Sequence, residues 1–570
     1  TSFYDYATPI HEPIEKRFIN RHRLEKKNPN AAMSEPVEPI IYYLDRGTPE
    51  PIRSALLDGA RWWNQAFEAA GFINAFRVEM MPEDADPMDV RYNLIQWVHR
   101  STRGWSYGAS VSDPRTGEII KGHVSLGSLR VRQDFLIAEG LLAPYEDGKN
   151  IPPPMLEMAL ARLRQLSAHE VGHTIGLAHS YASSSENLAS VMDYPHPIAT
   201  IKDGKIDLSQ SYDDKIGAWD KVAIMYGYSH FPEGTNEDVA LEKILQDGSK
   251  QGLTFLSDQD ARPTGGAHPF AHLWDNGKDA ADELNRVMQV RTLALKNFGE
   301  KNIREGTPMA LLEEALVPIY FFHRYQAEAT SKIIGGLNYR YALRGDGQPV
   351  TELISAAQQQ KALDALLSTV SPQALSLPTD LIKNIPPHPI GYQRTREVMR
   401  TRTDLTFDPL AYAESASDMV FGLIFHPARA TRLVQQNALN NQQPSLESVI
   451  DKIINSSFKG SNKSGYEGLL QMTVNHSVLN NLIKLNRNQN ASAQARAIAS
   501  LKIDQLKTWL TQKTKTTTNE SWKAHYAHAL NLIQAFRNNP EKFEAENLLS
   551  PPPGQPIGTD DVFCTWGSQH

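Results

Sequence analysis

Within eleven residues the chain gathers three imidazoles and a carboxylate: His169-Glu170-Val171-Gly172-His173-Thr174-Ile175-Gly176-Leu177-Ala178-His179. His169 and His173 are four apart, so on a helix they lie on one face, one turn from each other. Glu170 sits beside them and can act as a base toward a water. Gly176 can adopt a left-handed conformation, end the helix and let the chain bring His179 back as a third nitrogen. Three protein nitrogens around one ion leave a fourth position open for water. That is the arrangement of a catalytic rather than a structural zinc site. The competing reading is a surface helix with scattered histidines. Five fixed residues in eleven, three of them His, arise by chance on the order of once in 10⁴ chains of this size.

Ser190-Val191-Met192-Asp193-Tyr194 follows after a short polar stretch. A long His motif followed by Met in a tight turn resembles the metzincin signature. The resemblance implies that Met192 forms an apolar floor beneath the histidines. Ser180 is similar to the matrixin pattern, whereas Tyr194 is similar to that of the astacins and serralysins, in which the Tyr approaches the metal and hydrogen-bonds the tetrahedral intermediate. The mixture fits neither group. It more closely resembles the large bacterial zinc-dependent metalloproteases with an "AHEVGHT-GL-H" helix and an "SVMDYP" turn. Residues 18–26, 63–72 and 217–228 resemble that family as well, although Ala178 and Ser180 stand where its members often carry Arg and Asn.

The fold implied is α+β: a metzincin-like zincin catalytic domain, with a twisted mixed sheet and an active-site helix, followed by a mainly α-helical C-terminal region. The expected division is an extended, Pro-rich strap over 1–38, the catalytic domain over 39–230, the helical region over 231–550 and an irregular tail over 551–570. Strands are predicted at 39–45, 75–81 and 90–99, with 104–111 and 119–126 paired around the turn Asp113-Pro114-Arg115-Thr116-Gly117. A helix from Thr48 to Ala70 is stopped by Gly71. Apolar residues at helical spacing from Met155 to Leu166 put the motif on a buried helix of about seven turns. Another helix spans Tyr212 to Tyr228. One strand should form the cleft rim onto which an extended substrate adds; 108–111 and 122–126 are both candidates.

The 570 residues carry a net charge of −7, with 41% hydrophobic and 22% charged residues. Neither a basic nucleic-acid footprint nor an apolar run of membrane-spanning length is present. The single cysteine, Cys564, excludes a disulfide within the chain. The sequence opens at Thr1 without initiator Met or signal peptide, which reads as a processed form. With the resemblance, this implies a periplasmic or secreted protein. His123, and the pair His268 and His272, read as structural rather than metal-binding. His196 in the wall Pro195-His196-Pro197 is either a specificity contact or exposed. His323 and Arg324 read as core residues, with lining of a substrate cleft as the alternative. Calcium is a further possibility, because Asp203, Asp207, Asp213 and Asp214 cluster, but their spacing matches no calcium loop.

The mechanism expected is peptide-bond hydrolysis by a zinc-bound water, with Glu170 as general base and acid, zinc and Tyr194 receiving the oxyanion, and a protein or peptide as substrate. The alternatives are a zinc amidase acting on another amide such as peptidoglycan, and an inactive scaffold with a helical binding module. All three histidines and Glu170 are present, which argues against the scaffold.

Overall fold

The computed structural model describes residues 2–99, 106–146, 148 and 152–554. Cys564, Gly104 and the tail beyond Gly554 lie outside the described residues. The N-terminal segment opens with a hairpin, β1 (Ser2–Tyr4) and β2 (Glu15–Arg17). Residues 18–38 then run across the sheet layer and are pinned at intervals. Arg21 bridges to Glu118, the His22 ring is 3.1 Å from the Tyr42 hydroxyl, and the Lys26 backbone N–H donates to His230 Nδ1 at 2.9 Å.

Five strands form the sheet: β3 (Ile40–Leu44), β4 (Phe76–Met80), β5 (Asn93–Val98), β6 (Tyr107–Ser112) and β7 (Ile119–Gly127). Their order is β4-β3-β5-β7-β6, all parallel except β6, which runs antiparallel to β7. In β3, Ile40, Tyr42 and Leu44 are buried while Ile41 and Tyr43 are half-exposed, the period-two pattern of a strand facing a core. Parallel neighbours need a crossover, and the 48–70 segment supplies it between β3 and β4. It forms two helices rather than the one expected, α1 (Ile52–Arg61) and α2 (Asn64–Ala69), because the chain breaks step at Trp62-Trp63. That break turns the Trp63 indole inward, where Nε1–H donates to the Ala168 carbonyl at 2.8 Å. Gly71, with φ +86°, ends α2 as predicted.

After α3 (Leu129–Leu142), the central helix α4 spans Pro153–Thr174. Its 22 residues make about six turns, one fewer than expected. A Cβ on Gly59 would lie 2.0 Å from the Arg164 carbonyl, so α1 and α4 cross in close contact at this glycine. The helix expected from Tyr212 begins later, as α5 (Ala218–Tyr228): Gly217 is extended, and the Asp220 carboxylate accepts its N–H at 2.9 Å, fixing the start there. The remainder is mostly helical, with α6 (Glu237–Lys250), the single-turn α7 (Asp258–Ala261), α8 (Ala280–Asn297), α9 (Leu312–Tyr320), α10 (Arg324–Ser331) and further helices out to Asn538.

Two apolar cores hold these layers, and α4 contributes to both. Met155 and Met158, near its start, join the helical core with Leu284, Tyr320 and Leu482. Leu163, Leu166 and Val171, further along, join the sheet core with Tyr42, Trp63, Ile95 and Val124. The sheet core continues into Leu256, Ala261, Trp274 and Tyr325. The architecture is therefore α+β, with a twisted, mostly parallel sheet on a central helix and a large helical region after it. Among the described residues, no helix is long and apolar enough to cross a membrane.

Candidate metal centre

The last two turns of α4 carry His169, Glu170 and His173, the first two buried and the third half-buried. Gly176 takes φ +103° and passes within van der Waals reach of the strap: a Cβ there would sit 1.9 Å from the Asn20 carbonyl. The reversal brings His179 back. The ligand atoms of His169, His173 and His179 lie within 4.8 Å of one another, the only such group of three or more potential ligands among the described residues. His169 Nε2 and His173 Nε2 face each other at 3.2 Å, and His179 Nε2 is buried without a hydrogen-bond partner.

Each ring is held from behind through Nδ1. His169 meets the Val191 carbonyl at 2.8 Å, His173 the Leu177 carbonyl at 3.0 Å, and His179 an Asp258 carboxylate oxygen at 2.9 Å. An acceptor on Nδ1 fixes the proton there and leaves Nε2 as a lone pair. Burial pushes all three imidazoles toward the neutral form, His173 down to about 3, and the mutual repulsion of the three rings adds to this at His169 and His173. Three neutral, convergent nitrogens, one of them an orphaned buried acceptor, fit a tetrahedral zinc ion with one position left over.

The turn beneath is the segment 190–194, held in place by a carboxylate from α5. Asp220, fully buried in the first turn of α5, accepts from Ser190 Oγ at 2.6 Å and the Val191 N–H at 2.8 Å. Met192 is fully buried, and a Cβ on Gly172 would stand 2.2 Å from its sulfur; the Met therefore packs directly under α4 between the two ligand turns. The Tyr194 ring lies 5.0 Å from the His169 ring and 4.7 Å from that of His179. It stacks on Trp274 at 5.6 Å with an interplanar angle of 15°, and the Arg262 guanidinium lies 5.8 Å from its centre.

The sheet approaches the same helix through Gly108 of β6. A Cβ there would come within 2.0 Å of the Glu170 carbonyl and 3.2 Å of His173 Cβ. Of the two rim candidates, β6 is the outermost strand of the sheet and β7 is interior to it, so 108–111 forms the edge beside the triad.

Other predicted positions fall elsewhere. His123 on β7 pairs with Gln96 at 3.3 Å. His268 meets the Tyr339 carbonyl at 3.0 Å, while His272 lies 3.2 Å from Glu328, so the two do not converge. Asp203 and Asp207 belong to a small hairpin, Thr200–Lys202 with Lys205–Asp207, where Asp207 accepts from Ser209. His196 is buried rather than exposed, edge-on to Phe322 at 4.7 Å, so the wall after the Met turn leans on the helical region. His323 is a core residue, and Arg324 donates to the Pro552 carbonyl at 2.8 Å. Sequence reasoning missed Asp258, Arg262 and Trp274. The sole local cue was Ser257-Asp258-Gln259-Asp260, a helix-start signature of the capping-box type.

Comparison with curated proteins and with solved structures gives no match. The sequence model of one family, described as Met-zincin, matches residues 152–465. That stretch is over half of the chain; it opens at the zinc helix, contains the triad and the Met turn, and continues deep into the helical region. On this match, and with its three histidines gathered as such a site requires, the chain belongs to the Met-zincin family.

Proposed function

We propose that this protein is a zinc-dependent metalloendopeptidase whose substrate lies extended along the outer edge of β6. The observation that carries the reading is the convergence of three neutral imidazoles, two buried and one half-buried, next to Glu170, under a sheet edge that no further strand covers among the described residues. The Nε2 atoms of His169, His173 and His179 would hold the zinc, which polarises the scissile carbonyl and makes water more acidic.

The chain's own groups do the rest. An extended peptide adds to the β6 edge through main-chain hydrogen bonds, which sets its direction and brings one carbonyl to the triad. Glu170 accepts a proton from the attacking water and passes it to the departing amine. The Tyr194 hydroxyl donates to the developing oxyanion, its ring held by the Trp274 stack. Met192 does no chemistry and keeps the floor apolar.

The test is cleavage of casein or a quenched peptide, abolished by a chelator and restored by zinc. Glu170→Gln should keep one zinc per chain and lose activity by about 10²- to 10⁴-fold. Wild-type turnover in that variant would refute the mechanism. A peptide-library cleavage profile run beside a peptidoglycan digest distinguishes an endopeptidase from an amidase.

A further inference from the structure

We propose that Asp258, contributed from the helical region, is a positioning residue for the metal: it sets the tautomer and basicity of His179. The proposal rests on the reading of the triad as a zinc site. Two of the three ligand histidines are oriented by backbone carbonyls that come with the local fold, Leu177 one turn on from His173 and Val191 in the Met turn. The third is oriented by a charged carboxylate 79 residues away in sequence. A carboxylate behind an imidazole fixes the ring and makes its metal-facing nitrogen a stronger donor than a carbonyl does.

Asp258 is itself held on every side. Its second oxygen accepts from Arg262 Nε and, at 3.2 Å, from the Tyr181 hydroxyl. The short helix α7 that carries it is capped reciprocally by Ser257 and Asp260. From α10's end, the buried Lys332 ammonium donates to the carbonyls of Ala261 and Ala271, the second at 2.6 Å, and so ties α7 to the helical core. Arg262 balances the charge of Asp258 and also lies over the Tyr194 ring, so one guanidinium links the His179 support to the proposed oxyanion donor. Within it, one Asp258 oxygen faces His179 Nδ1 and the other is taken up by Arg262 and Tyr181.

Zinc affinity of the full chain, measured by competition with a chromophoric chelator, tests this directly, together with the visible absorption of the Co²⁺-substituted protein. Asp258→Ala should weaken zinc binding about 10- to 100-fold and shift the Co²⁺ bands. Asp258→Asn, which keeps the shape and one acceptor but removes the charge, should fall between it and wild type. A purely structural role would lower the melting temperature of the metal-free protein and leave affinity and spectrum alone. Both variants within twofold of wild type, with an unchanged spectrum, overturn the proposal. If Asp258→Ala does not fold by circular dichroism, the isosteric Asn variant decides alone. Failure of the wild-type chain to bind one zinc, or retention of that zinc by His173→Ala, would instead refute the zinc reading itself.

Discussion

Substituting Ala for Gly108 should cost activity without costing metal. The added Cβ would stand 2.0 Å from the Glu170 carbonyl, and ordinary contact begins near 3.4 Å, so β6 and α4 must separate by about 1.4 Å. The helix is the less able to yield. Trp63 Nε1–H grips the Ala168 carbonyl at 2.8 Å, Ser167 Oγ donates to the Leu56 carbonyl at 2.7 Å, and α1 is in backbone contact with α4 at Gly59. The edge strand is joined to the sheet on one side only, by β7. It is therefore β6 that shifts, carrying the bound peptide away from the triad and Glu170. Misplacement by about 1 Å costs about 10²-fold in rate, which is about 2.7 kcal/mol in the barrier. The assay is kcat/KM on a quenched peptide, with zinc measured by elemental analysis on the same samples. The three histidines take their positions from α4, Gly176, the turn at Val191 and Asp258, none of which lies on β6, so metal content should stay at one per chain. A kcat/KM within threefold of wild type would show that β6 does not position the substrate. Loss of zinc in parallel with activity would show that the helix, not the strand, gave way.

Tyr194→Phe keeps the stack on Trp274 and loses only the hydroxyl; kcat should fall about 10²-fold, the cost of one oxyanion donor, with KM and zinc content unchanged. An unaltered kcat would remove the hydroxyl from the reaction. A second expectation concerns pH. Burial pushes the Asp275 carboxyl up to about 7, against the nearby Lys332 charge and the Ser184 hydrogen bond, and burial with the Asp275 charge also raises Asp193. The folded chain thus holds a proton at Asp275 that the unfolded chain has already released between about pH 4 and 7. The stability it contributes is fully present at the acid end of that window and is lost as pH rises through 7. The melting temperature of Asp275→Asn relative to wild type should therefore increase from pH 5 to pH 8; a constant difference across that range would refute this assignment.

What the sequence disclosed follows from the range over which its signals act. The triad was legible because a helical turn and a glycine reversal fix the relative positions of residues 169–179 without help from the rest of the chain. The five strands were legible from local alternation and turns. Which strand lay outermost was not, since neighbours in a sheet are set by crossovers; the difference appears in burial, continuous along the second half of β7, whereas β6 has only half-buried and exposed residues. The break at Trp62-Trp63 hid in the sequence because both residues keep helical dihedrals, and only the tertiary bond from Trp63 to Ala168 marks the place. The expected start of the last catalytic helix at Tyr212 failed for a related reason: the apolar spacing continues upstream, but Asp220 caps at Gly217. Asp258 had no chance of detection by spacing, since its partner His179 lies 79 residues away, across the Met turn, a hairpin and two helices.

The position of these missed residues explains why the family match does not end with the Met turn. A His motif with its turn could in principle be served by the sheet alone, but here the back of the site is built from later chain. His179 leans on Asp258, Tyr194 on Trp274, and His196 on Phe322. The sheet core runs without interruption into Leu256, Ala261, Trp274 and Tyr325. Each of these contacts fixes a ring that would otherwise rotate: the imidazoles of His179 and His196 and the buried phenol of Tyr194. Fixing them in advance lowers the ordering needed when metal and peptide arrive. A chain cut after α5 would keep His169, Glu170, His173, His179 and Met192, yet lose the carboxylate, the indole and the aromatic wall together. The helical region is in this sense part of the metal centre's frame, and the matched stretch 152–465 runs from the ligand-bearing helix through the elements that hold that frame.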